Sequence, residues 1–154
     1  MVDEIIEKLK KFFEGREEVQ FAILFGSLAK GTANAFSDID IAVMIDPQFD
    51  TTFPYGYQAT LIADLMQVLR RNDIDVVMLN NAPIILRYQI LRCGNFICVR
   101  DEQVRTQFQI DTINRYEDFK RMYAVHESAC RRRWENLMPS KAIPNIEAED
   151  GGET

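Results

Sequence analysis

The chain has 154 residues, 47% of them hydrophobic and 27% charged, with a formal net charge of −6. That length suits one globular unit, which buries about 68–70% of the surface its unfolded chain would expose. The acidic balance argues against sequence-independent nucleic-acid binding, which rests on neutralising phosphates with Lys and Arg. No run approaches the roughly 18 apolar residues needed to span a bilayer, and Met1-Val2-Asp3-Glu4 leads straight into an amphipathic pattern without an apolar signal core. A cytoplasmic protein that neither enters a membrane nor binds nucleic acid directly is therefore expected. Cys93, Cys98 and Cys130 are odd in number and lack paired metal spacing, so they read as buried thiols of a reducing compartment. With His126 the single histidine, a zinc motif and a Ser-His-Asp triad are both short of residues.

Residues 3–14 place Ile5, Ile6, Leu9, Phe12 and Phe13 on one helical face, with Asp3 as N-cap and Gly15 as the stop. Val19 to Phe25 is apolar on both faces, as a central strand should be. Leu28 to Gly31 reads as a helical turn, and Asp38 to Ile45 as a second strand closed by Asp46-Pro47. After an irregular loop from Gln48 to Gly56, a helix is predicted over Gln58 to Arg71 and a third strand over Ile74 to Leu79. Ile84 to Arg92 forms a helix ended by Gly94, and Phe96 to Val99 a short fourth strand. From about Asp101 to Met138 there is no Pro or Gly, which predicts one long helix or a kinked helical pair. Tyr116, Phe119, Tyr123, His126, Cys130, Trp134 and Leu137 recur there at spacings of three and four, a stripe that packs on a core or, where exposed, meets a partner. Residues 140–154 are expected to be a mobile acidic tail.

The chemistry concentrates in Leu24-Phe25-Gly26-Ser27, followed ten residues later by Asp38-Ile39-Asp40. In a strand Asp38 and Asp40 point the same way, about 6.5–7 Å apart, while Ile39, Ile41, Val43 and Ile45 form the opposite, apolar face. Two carboxylates at the start of a buried strand are costly without a positive partner, and hard oxygen donors of this kind suit Mg²⁺. Asp75, on the same face of the third strand, is the candidate to complete a two-metal site that clamps the attacking and leaving oxygens of an in-line displacement. Asp73, Asp46 and Asp64 read as turn, solvated or capping residues. The Gly26-Ser27 turn would let backbone N–H groups and a hydroxyl approach triphosphate oxygens. Lys30 could neutralise phosphate, and Ser37 could add a second hydroxyl. Gly26 and Gly31-Thr32 echo a Walker A loop, but Lys30 precedes the second glycine instead of following it, so that motif fails.

Gly-Ser followed by ten residues and Asp-x-Asp resembles the signature of the DNA polymerase β-like nucleotidyltransferases, over about residues 19–100. The size resembles their minimal branch, the MNT proteins of HEPN/MNT toxin–antitoxin pairs. The resemblance implies an α/β (α+β) nucleotidyltransferase fold: a small mixed, twisted sheet of about four strands with flanking helices and a long C-terminal helix or helical pair. Residues 1–100 would be the nucleotidyltransferase core and 101–139 a helical extension packed on the core or a partner. It further implies Asp38, Asp40 and Asp75 as catalytic, metal-binding residues for two Mg²⁺, and Gly26, Ser27, Lys30 and Ser37 as nucleotide-binding residues for ATP. The implied activity is transfer of AMP to a tyrosine hydroxyl of a cognate HEPN ribonuclease toxin. Two alternatives share the sequence: a nucleotidyltransferase acting on small molecules, similar to those that modify aminoglycosides, and an antitoxin that acts by binding alone.

Overall fold

The computed structural model describes residues 2–31 and 37–137. The predicted tail at 140–154 lies outside the described residues. The elements follow in the order α1 (Val2–Glu14), β1 (Val19–Phe25), α2 (Ser27–Lys30), β2 (Ile39–Ile45), α3 (Tyr57–Leu69), β3 (Ile74–Met78), α4 (Ile84–Cys93), β4 (Asn95–Val99) and α5 (Glu102–Leu137). The expected α/β class and mixed sheet of four strands are present, in the order β3-β2-β1-β4. β1 runs antiparallel to both β2 and β4, whereas β2 and β3 are parallel. A parallel pair needs a long crossover, and here it is the 46–56 loop and α3.

The alternation of β2 divides the molecule into two layers. Ile39, Ile41, Val43 and Ile45 are buried in one core together with Leu9 and Phe13 of α1 and Leu61 and Leu65 of α3. Ala42 faces the other way, into a smaller core with Phe21, Ile23, Leu79, Ile90 of α4 and Phe108 of α5. Asp40 has the same parity as Ala42 and stands at the end of that second face. Phe21 is fully buried there, with ring centroids 5.6 Å from Phe96 and 5.2 Å from Phe108. Phe21→Ala is therefore expected to cost about 3–5 kcal/mol, read as a fall in the urea midpoint at unchanged m-value.

Helix α3 stops at Leu69 because Arg70 takes the left-handed conformation, φ 53° and ψ 41°. Arg71 is thereby turned back toward β3 instead of continuing the helix, as the sequence pattern had it. At the far end of β2, Asn80 extends the sheet with its side chain: Ile45 N–H donates to Asn80 Oδ1 at 3.0 Å, and Asn80 Nδ2 donates to Ile45 O at 2.9 Å.

One compact unit runs to Tyr116, and residues from Glu117 onward form a second. The expected long C-terminal helix is α5. Within the first unit Tyr116 stacks on Tyr88, with centroids 3.6 Å apart and planes within 3°. In the second unit every residue from Lys120 to Arg133 is exposed, including Met122, Tyr123 and Val125. Tyr123, His126 and Cys130 of the predicted stripe are exposed; Trp134 and Leu137 have no described side chains. His126 is exposed, with Nε2 3.5 Å from Cys130 Sγ. The expectation of three buried thiols fails, since Cys93 and Cys130 are exposed and Cys98 is half-buried. The number and spacing of the cysteines speak to metal and disulfide chemistry, not to burial.

Candidate active site

β1 ends at Phe25, whose register partner is Asp40. The next residue, Gly26, turns the chain with φ 74° and ψ −155°, a region essentially reserved for glycine. A second reason for glycine is space. A Cβ built at Gly26 would overlap Asp40 Oδ2 and lie 3.1 Å from Asp40 Cγ. The Gly-Ser turn and the second aspartate of Asp-x-Asp, distant in sequence, are thus packed against each other.

The short helix α2 opens at Ser27 and closes at Gly31, whose φ of 72° makes the left-handed stop. Asn95 Nδ2 donates to Ala29 O at 3.4 Å and ties α2 to the start of β4. Lys30 and Gly26 both line a cleft of about 440 Å³ whose walls include Phe25, Tyr88, Arg92 and Tyr116. Tyr88 and Arg92 are wall residues that motif spacing did not find, because on α4 they read as ordinary helix-face positions.

In the parallel β2–β3 pair, Asp40 is the register partner of Asp75, so their backbones are about 4.8 Å apart. Asp38 precedes the first strand residue, Ile39, and is exposed, as is Asp75; Asp40 is half-buried. Burial first, then the negative charges of Asp75 and Asp38, push the Asp40 carboxyl above the ordinary carboxylate range. Three carboxylates therefore share one electrostatic environment at the end of the sheet. Among the described residues no three acidic, His or Cys side chains converge into a ready-made metal cage. The donor set is nevertheless all carboxylate oxygen, which suits Mg²⁺, and a divalent cation would relieve the repulsion that Asp40 feels.

Ser37 is half-buried immediately before Asp38, and its carbonyl accepts a hydrogen bond from Arg71 Nη2 at 2.9 Å. The other acidic candidates have structural partners: Asp64 pairs with Arg16, Asp73 with Arg71, and Asp46 Oδ1 accepts from Gln48 N–H at 2.9 Å. A cleft of about 850 Å³ lies between the 46–56 loop and Asn80 and contains none of Asp38, Asp40 and Asp75. It lies at the opposite end of β2 from the carboxylates. Among the described residues no helix is long and apolar enough to cross a membrane.

The Gly-Ser turn packs onto Asp40, with Asp75 in register beside it, and this end of the sheet is the candidate active site. Residues 7–103 match the family "Polymerase beta, Nucleotidyltransferase", and the chain belongs to that family. No curated protein sequence matches it. Among solved structures it is similar to a chain of a toxin–antitoxin complex with AMP-PNP, at 28% identity and TM-score 0.66, over 81% of this chain and 98% of that one. It is also similar to a chain of the tri-AMPylated HEPN toxin–MNT antitoxin complex of Shewanella oneidensis, at 25% identity and TM-score 0.62, over 84% and 99%. A mutant MntA toxin–antitoxin complex gives 26% identity and TM-score 0.63, over 84% and 98%.

Proposed function

We propose that this protein is a Mg²⁺-dependent adenylyltransferase that moves AMP from ATP to a tyrosine hydroxyl of a cognate HEPN toxin, acting as its antitoxin in the cytoplasm. The observation that carries this reading is the packing of Gly26 against Asp40, with Asp75 beside it in register. The similarity to a chain of a complex whose HEPN toxin is tri-AMPylated supports the choice of group transferred and of acceptor.

Asp38, Asp40 and Asp75 would hold two Mg²⁺, which supply charge neutralisation at the triphosphate and polarise the oxygens of the displacement. The backbone N–H groups after Gly26, the Ser27 and Ser37 hydroxyls and the Lys30 ammonium bind the triphosphate. Asp75, exposed at the edge of the site, accepts the proton of the tyrosine hydroxyl. That oxygen bonds to the α-phosphorus as the bond from the α-phosphorus to the bridging oxygen breaks, and pyrophosphate leaves with that oxygen. Placement and charge stabilisation provide most of the rate. The exposed Met122, Tyr123 and Val125 on α5 offer an apolar surface for the protein partner.

ATP labelled separately at the α- and γ-phosphates tests the reaction. With a HEPN protein from the same genome and Mg²⁺, α-label is expected on the partner and γ-label in released pyrophosphate, both abolished by EDTA. Label arriving from the γ-phosphate, or transfer persisting in EDTA, would contradict the reading.

A further inference from the structure

The carboxylates are carried by two strands, and one side chain ties those strands together beside the site. Arg71 Nε donates to Asp73 Oδ1 at 2.8 Å, and its Nη2 donates both to Asp73 Oδ2 and to the Ser37 carbonyl at 2.9 Å. Ile39 N–H donates to Asp73 O at 2.9 Å. The backbone on either side of Asp38 is thus tied to Asp73, directly at Ile39 and through Arg71 at Ser37, two residues before Asp75. The left-handed turn at Arg70 brings Arg71 back to make this contact.

Asp38 needs such a tether. It stands one residue before the sheet ladder, which holds it on one side at Ile39, while Arg71 holds it on the other at Ser37. We propose that Arg71, oriented by Asp73, is a positioning residue that fixes the Ser37 backbone and thereby sets the spacing of Asp38 from Asp40 and Asp75. This rests on the reading of those carboxylates as a divalent-cation site. The two side chains remain 22% and 24% exposed, so solvent screens the pair and limits what it adds to global stability. Displacing a reacting group by about 1 Å, in contrast, can cost about 10²-fold in rate. The two roles therefore predict different experiments.

The test compares wild type, Arg71→Ala, Arg71→Lys and Asp73→Asn in the full chain, with Mn²⁺ binding followed by EPR in the presence of a non-hydrolysable ATP analogue. Arg71→Ala is expected to weaken Mn²⁺ binding about 10-fold and lower kcat about 10²-fold, with the KM for ATP within about threefold. Lysine keeps the charge but lacks the planar fork that reaches Asp73 and Ser37 together, so Arg71→Lys should resemble Arg71→Ala. The thermal midpoints should stay within about 3 °C of wild type. If Arg71→Ala unfolds, Asp73→Asn carries the test, with the same signs and smaller effects. Mn²⁺ affinity and kcat unchanged in Arg71→Ala, or restored by lysine, would overturn the positioning role while leaving the metal site standing. Wild-type protein that binds no Mn²⁺ would overturn the site reading and this inference together.

Discussion

Asp40→Asn is expected to lower the rate of AMP transfer by about 10²–10³-fold, the loss typical of removing a main source of transition-state charge stabilisation. In metal-free buffer the same change should make the protein more stable. Burial, Asp75 and Asp38 raise the Asp40 carboxyl above its ordinary range, so the folded chain holds that proton more tightly than the unfolded chain. Folding is then favoured while Asp40 is protonated. Stability falls as pH rises from the ordinary carboxylate range through the raised value, and the loss persists at neutral pH. Asparagine removes the penalty. Because Asp40 is partly solvated its charge is screened, and the gain at pH 7 is expected to be about 1–3 °C in thermal midpoint. Mg²⁺ should raise the midpoint of wild type and leave that of Asp40→Asn unchanged, read by calorimetry with and without EDTA. Destabilisation by Asp40→Asn in metal-free buffer would mean that the carboxylates do not repel one another as placed.

Gly26→Ala carries the second large effect, and it should damage stability and activity together. The backbone angles at Gly26, φ 74° and ψ −155°, cost a residue with a Cβ about 1–3 kcal/mol. The added methyl also overlaps Asp40 Oδ2, so either the turn or the aspartate must move. A loss of about 2–4 kcal/mol in urea unfolding is expected, with a transfer rate down by about 10²-fold for a displacement near 1 Å. Gly31→Ala serves as the comparison. Its φ of 72° strains alanine too, but a Cβ there meets nothing within 4 Å, so it should cost stability, with a much smaller loss of rate. Equal losses of rate in the two variants would show that the approach of Gly26 to Asp40 is not what matters.

The layered fold was legible in the sequence because its signals are local and agree. The parity of Ile39 to Ile45 marks the side of β2 that faces the larger core, and Gly94 and Gly15 punctuate their helices where expected. Motif spacing marks Gly26 and Asp40 as parts of one signature but not their contact, whose cause is tertiary: antiparallel pairing brings Phe25 beside Asp40. Arg71 shows what spacing cannot give. In sequence it continues the pattern of α3, and only the left-handed turn at Arg70 reveals that it serves the strands. Asp73, two residues from Asp75, reads as a turn residue until Arg71 is seen to grip it. The exposed half of α5 marks the other limit, since periodicity records that a face is apolar without recording which molecule covers it.

Intact mass of a HEPN protein from the same genome, after incubation with this chain, ATP and Mg²⁺, tests the central claim most directly, with the Asp38→Asn/Asp40→Asn variant run in parallel. One or more AMP increments on the partner, absent with the variant, is the predicted result. A partner bound and silenced equally by both versions, with its mass unchanged, would contradict the claim and make this chain an antitoxin that acts by binding alone.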